Sequence, residues 1–331
     1  MKRWLLLLLL LPAMRLHAQP EPEPEPKDTV KVGLYVLSLF DIDYPHQSFS
    51  ADFWVWFLYS SDSLDPTKTV EVSNAKSSVF ESIDIEKKKG INWGTLKCRA
   101  VIKQPWDARE FPFDQQKLKI VLEDAQADTT ELVYIADTVN SHLSSKLEME
   151  GWVIGKLRLV QQSVSYETNY GNPELSQGST YPGVVAYIDL QRNALGLFFK
   201  LFTGVYIAFA ICMILFFINA SQFEARLSLA VGAMFAIVAN KYVVDSQLPA
   251  TSRFTLVDQI HAVSFLFIFF NIIASVISME LFRRDTARNE ALGISDMNLD
   301  LKRSQRADRI SFVILLVAYI IINGFYIIRA V

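Results

Sequence analysis

The chain has 331 residues, of which 51% are hydrophobic and 20% are charged, and its formal net charge at pH 7 is −3. This mildly acidic balance argues against a nucleic acid as partner, because phosphate binding requires clustered Lys and Arg. The sequence contains only two cysteines, Cys98 and Cys212, which excludes a disulfide framework.

The N-terminus has the pattern of an export signal. Lys2 and Arg3 precede an unbroken run of leucines and then small or polar residues, which predicts a signal peptide over residues 1–18, cleaved after Ala18. Residues 19–27 are rich in alternating Pro and Glu and are predicted to form an extended spacer. The rest of the chain is therefore expected to start outside the cytoplasm.

Residues 28–193 are predicted to form an immunoglobulin-like β-sandwich. Short β-branched and aromatic runs alternate with turn residues such as Lys89-Gly90 and Pro182-Gly183, without an intervening helical pattern. Residues 28–192 hold 16 Lys/Arg against 23 Asp/Glu, a net charge of −7 that would concentrate cations near the membrane. The clearest predicted strands are 32–39, 52–59, 96–103, 116–122, 152–161 and 184–190.

Four apolar segments follow in residues 194–331, and each is long enough to cross the membrane as a helix. The connection at 283–306 is rich in Arg and Lys, so the positive-inside rule predicts a cytoplasmic loop and an exported C-terminus. This topology agrees with the signal peptide. The predicted fold class is a β + α membrane protein, an exported β-sandwich followed by a four-helix bundle with helices at about 197–218, 224–248, 254–282 and 307–329.

The second apolar segment has one face that is unlike a lipid-facing surface. Small or polar residues recur on it at helical spacing, and charged residues flank it at both ends. Such a stripe is typical of a helix that lines a water-filled path. The same small residues would also suit close packing between helices. The candidate pore-lining residues are Glu224, Ser228, Gly232, Phe235, Ala239, Tyr242 and Ser246.

Three local motifs in the expected order support a family resemblance. Residues 111–115, Phe-Pro-Phe-Asp-Gln, look like a signature loop between two sheets, and Arg192 falls just before the first apolar segment. Residues 246–249 and 255–259 look like the end of a pore helix and the link to the next one. With the exported sandwich and four helices, the chain resembles the pentameric ligand-gated ion channels (the Cys-loop receptor superfamily).

Departures from the animal members point to the prokaryotic branch of this family. Gln104 and Leu118 stand where the two name-giving cysteines would be, and the cytoplasmic connection is short. The closest pattern is the erwinial amine-gated type. The resemblance implies a homopentamer in a bacterial inner membrane that passes permeant cations or anions. Its N-terminal domain would lie in the periplasm.

The resemblance assigns roles to the second helix. Phe235 and Tyr242 would form aromatic rings that gate the path, and Glu224 would form the selectivity ring at the cytoplasmic mouth. Arg226 leaves the choice between cations and anions open, since a cation at this depth also occurs in anion-selective members. The acidic exported domain favours cations.

For ligand binding, the resemblance implies an aromatic box between adjacent subunits, which suits an amine because aromatic faces attract cations. Tyr166 and Tyr181 flank the matching capping loop. Trp54 or Trp56 could supply the opposing side, and strand alternation is expected to turn only one of them to the site. Glu123 could meet a cationic agonist. The same aromatic residues could instead belong to the sandwich core.

Coupling between the sandwich and the helices is expected at their junction. An ion pair between Arg192 and Asp114 would bridge it, although a surface pair with little effect is the alternative. The predicted coupling residues are Phe111, Pro112, Phe113, Asp114, Arg192 and Pro249.

Other features carry weaker predictions. His261 could sense protons, although a packed histidine is the simpler interpretation. The carboxylates Asp41, Asp43, Glu123 and Asp124 could bind Ca²⁺ at an interface, although solvated acids are the default. No other cofactor is expected. The chain shows no catalytic motif, so an enzyme is not expected. A non-conducting membrane ligand sensor is the main rival to a channel.

Overall fold

The computed structural model describes residues 27–171, 178–249, 253–294 and 296–331. The predicted signal peptide and all but the last residue of the spacer therefore lie outside the described residues, as do parts of the capping loop and of the link after the second membrane helix. Within the described ranges, the chain first forms strands, with one short helix α1 (Pro66–Thr69). The strands are β1 (Asp28–Asp43), β2 (Ser48–Tyr59), β3 (Val70–Val72), β4 (Ala75–Lys88), β5 (Ile91–Lys103), β6 (Gln115–Asp124), β7 (Leu132–Ala136), β8 (His142–Leu143), β9 (Trp152–Gln161), β10 (Val164–Tyr166), β11 (Ser179–Tyr181) and β12 (Gly183–Arg192).

The strands form two main sheets, which confirms the predicted sandwich. One sheet has the order β4-β5-β2-β1-β7 with β8 also paired to β1, and the other has the order β3-β6-β12-β9. Side chains on the inner faces alternate with outward ones, as in β2, where Phe53, Val55 and Phe57 are fully buried. Leu118 of β6 and Ile188 of β12 close the same core from the other sheet.

Each of the six predicted strand runs lies within an observed strand, but β4 had not been predicted. The run is mostly polar, and its apolar residues Val79, Ile83 and Ile85 are exposed, so it lacks the buried apolar face that identifies a strand. β4 pairs with β5 along its length, and the turn between them is at Lys89 and Gly90. Both residues have positive φ, 52° and 80°, which a two-residue type I′ hairpin requires.

Four long helices follow, and each is long and apolar enough to cross a membrane. The third and fourth extend well beyond the predicted bounds, so most of the segment predicted as a loop at 283–306 is helical. Hydropathy marks only the part of a helix that faces lipid, and ion pairs such as Glu280–Arg284 at 2.8 Å support the polar extension. The helices are α2 (Ala194–Met213, continued by a 3₁₀ turn Ile214–Phe217), α3 (Phe223–Asp245), α4 (Leu256–Ala291) and α5 (Met297–Ala330).

The sandwich rests on one end of the helix bundle, and the two share one continuous hydrophobic core. The ring of Phe113, in the loop before β6, lies 5.5 Å from the ring of Phe198 in α2. The first N–H of α4, on Leu256, donates to the carbonyl of Arg109 in the same loop at 2.8 Å. One loop therefore contacts two of the membrane helices directly.

Candidate channel pore, ligand site and coupling junction

The helix α3 separates the predicted pore-lining residues from those that pack inside the subunit. All seven predicted positions are exposed in the isolated subunit, and the two bulky ones, Phe235 and Tyr242, are 65% and 79% exposed. The helix buries a different face. That face consists of Arg226, Ala230, Ala233, Ile237 and Val244.

Arg226 lies on the buried face, although Glu224 is only two residues away and exposed. Two residues span about 200° of an α-helix, so neighbouring charges are turned to opposite sides. The Arg226 guanidinium donates to Asp308 of α5, with Nη1–Oδ1 at 3.0 Å and Nη2–Oδ2 at 2.6 Å. It also donates to the Ile218 carbonyl at 3.0 and 2.5 Å. The cation that left ion selectivity open is therefore neutralised inside the subunit.

The C-terminal end of α3 is tied to α4 by polar contacts that sequence reasoning missed. Lys241 bridges Asp245 of its own helix at 2.5 Å and Asp258 of α4 at 2.7 Å. One turn deeper, the fully buried His261 has Nε2 at 3.0 Å from Asn240 Oδ1. Burial of His261 within the bundle favours the packed interpretation of this residue.

The two predicted ligand-site tyrosines come together in the small β10–β11 hairpin. The rings of Tyr166 and Tyr181 meet edge to face with centroids 5.9 Å apart. Tyr170 completes the cluster, at 6.1 Å from Tyr166 and 6.4 Å from Tyr181. Sequence reasoning missed Tyr170, although it stands in the capping loop and is aromatic. The three rings make an aromatic corner outside the sandwich core.

Glu123, at the end of β6, lies beside this aromatic corner. The Tyr166 hydroxyl donates to Glu123 Oε1 at 2.5 Å, while Oε2 is buried without a partner among the described residues. Glu71 of β3 stands directly opposite Glu123 across the strand pair. Burial, helped by the neighbouring Glu71, raises the pKa of Glu123 to about 7 against the lowering effect of the Tyr166 hydrogen bond. A carboxyl poised near neutral pH therefore lies next to three tyrosines.

The expectation that strand alternation turns only one of Trp54 and Trp56 to the site is wrong. Residues two apart on a strand share a face, and both tryptophans lie on the outer face of β2, half-buried, opposite the core residues Phe53 and Val55. The Trp56 indole N–H donates to Asp137 Oδ2 at 3.2 Å. Both side chains are therefore available on one surface of the subunit.

Arg192 and Asp114 form the predicted ion pair at the junction, and it is buried. Arg192 Nε lies 2.7 Å from Asp114 Oδ1, with the side chains 11% and 2% exposed. The guanidinium also lies 4.0 Å from the ring centroid of Trp152, 4.9 Å from that of Tyr44 and 5.0 Å from that of Phe111. The alternative of a weak surface pair is therefore excluded for this contact.

Asp114 has further donors that sequence reasoning missed. The Tyr44 hydroxyl donates to its Oδ2, and Gln116 Nε2 donates to the same oxygen at 2.7 Å. The Tyr44 ring stacks on Trp106 at 4.7 Å. Tyr44 comes from the β1–β2 turn, so the junction ties that turn to the loop before β6. Pro249, another predicted coupling residue, is buried at the end of the described part of the α3–α4 link.

The four carboxylates considered for Ca²⁺ do not meet in the subunit. Asp43 ends β1 beside the junction, where its carbonyl accepts from the Trp106 indole at 2.8 Å. Asp124 lies beside Asp28 at the other end of β1 and accepts from Thr69 and Tyr134. The described residues contain no group of three or more His, Cys, Asp or Glu side chains placed to hold a metal ion.

Comparison with known proteins adds one relative. No family model matches the chain. The chain is similar to the proton-gated ion channel of Gloeobacter violaceus, with 20% identity over 271 residues that cover 74% of this chain and 71% of the relative. The similarity supports a ligand-gated ion channel.

The relative and the structure agree on the general class of protein. Two packed sheets followed by four helices of membrane length are consistent with a Cys-loop channel fold, and they support a membrane protein. The similarity to a channel favours this function over an enzyme. The same similarity supports the pentameric ligand-gated ion channels in general. The prediction of the erwinial amine-gated type has no support from the comparison.

Proposed function

We propose that the chain forms a homopentameric, cation-selective ion channel in a bacterial inner membrane, opened by a ligand that binds between neighbouring subunits. The sandwich would lie in the periplasm and the α4–α5 turn in the cytoplasm. The observation that carries the proposal is the exposed face of α3. It places small and polar residues in line with two exposed aromatic rings, on a helix whose opposite face is packed inside the subunit.

Five copies of this face around an axis would make a path for ions. Ser228, Gly232 and Ala239 would leave room for water, whereas Phe235 and Tyr242 would narrow the path with aromatic rings. A ring of apolar side chains can stop ions by dewetting the path. Phe235 is therefore proposed as the gate in the middle of the membrane, and Tyr242 as the outer constriction.

Phe235→Ala tests the gate. Removing five rings should let the path stay hydrated, so we expect current without ligand or markedly slowed closing in planar bilayers. Val238→Ala is the matched control, because Val238 is exposed on the same helix but lies off the stripe. Unchanged gating in Phe235→Ala, or equal leak in both variants, would contradict the assignment.

Cation selectivity is proposed from the charges at the inner end of α3. Glu224 is exposed, so five carboxylates would surround the mouth and attract cations. Arg226 is paired with Asp308 inside the subunit and would not oppose them. Reconstituted full-length protein under a NaCl gradient should reverse near the sodium potential. A reversal near the chloride potential would establish an anion channel instead, and absence of conductance under every ligand would favour the non-conducting sensor.

The ligand is proposed to be a cation, with a protonated amine as the first candidate. Tyr166, Tyr170 and Tyr181 present ring faces and edges, and the buried Oε2 of Glu123 offers a negative charge. Each cation–ring contact contributes about 0.5–2 kcal/mol. The outer face of β2, with Trp54 and Trp56, would close the site from the neighbouring subunit.

A proton is the second candidate, because the relative is named a proton-gated channel and the pKa of Glu123 is raised to about 7. The two candidates predict opposite effects of pH. A cation needs the charged carboxylate, so its apparent affinity should fall by up to about tenfold per unit as the pH drops below 7. A gating proton should instead increase the current over the same range without any amine.

Glu123→Gln separates these outcomes in a liposome flux assay between pH 5.5 and 8.5. We expect the variant to lose the pH dependence centred near 7, whichever ligand opens the channel. Glu131→Gln is the control, because Glu131 is an exposed carboxylate of the same domain. A midpoint near pH 7 that survives in Glu123→Gln would exclude Glu123 as the titrating group.

A further inference from the structure

The inner end of α3 is held by a carboxylate from α5, the helix that is least covered by the rest of the subunit. Only 11% of the apolar span of α5 is buried, against 44% for the span of α2. Asp308 is one of the buried residues of this helix, with 3% of its surface exposed. Among the described residues, the Arg226 guanidinium donates both hydrogen bonds that the Asp308 carboxylate accepts.

Four hydrogen bonds hold the Arg226 guanidinium in this site. Nη1 and Nη2 meet the two oxygens of Asp308, and Nε and Nη2 donate to the Ile218 carbonyl. An arginine side chain stays charged in proteins, so its charge must be either paired or hydrated. The Ile218 carbonyl brings a dipole but no net charge. Among the described residues, Asp308 is therefore the group that neutralises Arg226.

The position of this pair relates it to the proposed ion path. Arg226 follows the exposed Glu224 by two residues in the first turn of α3, where the helix begins. Without Asp308, the charge of Arg226 would be uncompensated two residues from Glu224, so it would act on the proposed mouth from within about one Debye length, roughly 8–10 Å. Charge at a pore mouth acts directly on the local concentrations of cations and anions.

From these observations we infer that Asp308, on a helix remote from the ion path, is a positioning residue for ion selectivity, because it keeps the charge of Arg226 out of the mouth. The inference rests on the proposed cation channel. Per subunit, Glu224 and Asp308 each carry one negative charge and Arg226 carries one positive charge, so the inner end of α3 has a net charge of −1. Loss of the Asp308 charge brings this sum to zero.

Asp308→Asn is the test, since it removes the charge and keeps the shape. We expect the sodium-to-chloride permeability ratio, measured from reversal potentials of the reconstituted full-length channel, to fall roughly tenfold, because five uncompensated charges then act across a partly screened mouth. In Arg226→Gln/Asp308→Asn both charges are gone and Glu224 remains. This double variant should recover the ratio of the unmodified channel.

Asp300→Asn is the matched control. Asp300 is also a nearly buried carboxylate of α5, but it accepts from the Asn289 amide at 2.6 Å instead of from an arginine. Its neutralisation should leave the permeability ratio unchanged. An equal loss of selectivity in Asp300→Asn would assign the effect to the general charge of α5 and overturn the inference.

The unmodified channel decides the proposed function, and the variants decide this inference. If the unmodified channel conducts cations and Asp308→Asn assembles with an unchanged ratio, the inference is wrong and the cation channel stands. If Asp308→Asn does not assemble, recovery of cation-selective pentamers in the double variant supports the inference, because it identifies the unpaired Arg226 charge as the defect. Failure of the double variant to assemble would overturn it.

Discussion

Arg192 and Arg226 are both buried against an aspartate, at opposite ends of the first membrane helix, but their surroundings differ. Arg192 lies among the rings of Trp152, Tyr44 and Phe111 and pairs with Asp114 of the sandwich. Arg226 has one carboxylate and one backbone carbonyl as partners. The two sites therefore differ in how many groups compensate the buried charges: several at Arg192, but a single carboxylate at Arg226.

The junction site distributes its stabilisation over several groups. Asp114 receives hydrogen bonds from Tyr44 and Gln116 as well as the ion pair from Arg192, so its charge is met by three side chains. Aromatic faces add an attraction for the guanidinium that needs no counter-charge. At Arg226, the partners among the described residues are one carboxylate, from Asp308, and one backbone carbonyl, from Ile218. We therefore expect graded losses of stability at the junction and an all-or-none response at the N-terminal end of α3.

Arg192→Ala should have the largest effect at the junction. It leaves Asp114 buried without its counter-charge, which costs about 3–5 kcal/mol, so gating or pentamer assembly should be lost. The measurement is thermal stability in detergent by size-exclusion chromatography, together with current in bilayers. Arg158→Ala is the matched control, because Arg158 forms an exposed pair with Asp189 at 3.4 Å, for which about 0–1 kcal/mol is expected. Normal currents from Arg192→Ala would refute its role.

Trp152→Leu should have an intermediate effect. It removes the ring nearest to the Arg192 guanidinium but keeps the ion pair, so a loss of about 2 kcal/mol is expected for this desolvated contact. Trp152→Phe, which retains an aromatic face, should lose less than Trp152→Leu in the same thermal assay. Equal losses in the two variants would show that the ring contributes by its volume alone.

Tyr44→Phe should have the smallest effect of the series. It removes one hydroxyl donor from Asp114 and preserves the ring beside Arg192, so a loss of about 1 kcal/mol is expected. The pKa of the Tyr44 hydroxyl is raised by burial and by the Asp114 charge, so it remains a donor across the physiological pH range. A loss as large as that of Arg192→Ala would contradict the view that the junction is redundantly held.

Much of the fold could be predicted because its signals are local. The six predicted strand runs lie within observed strands, and Lys89-Gly90 forms the predicted hairpin turn. By contrast, β4 was missed because its side chains are mostly polar. The polar extensions of α4 and α5 were predicted as a loop, because hydropathy detects only the part of a helix that lies in lipid.

The candidate site could be predicted only in part. Helical spacing located the exposed stripe of α3 and the family resemblance located Arg192 with Asp114, since both depend on motifs that are contiguous in sequence or at fixed spacing. Glu71 and Tyr170 were missed, because their relevance arises from contacts with Glu123 and Tyr166 on other strands. The two tryptophans of β2 were misassigned, although strand alternation places them on one face.

The sequence by itself determined that this is a β-sandwich followed by four membrane-length helices, because hydropathy, strand alternation and turn residues act over short stretches of chain. Only the tertiary structure decided where the charges lie. Arg226 is adjacent to the proposed ion path in sequence, yet it pairs with Asp308, 82 positions further along the chain. A buried charge must pair with a group on an element that packs against it. Which helices pack together depends on the tertiary structure and cannot be read from a short stretch of sequence.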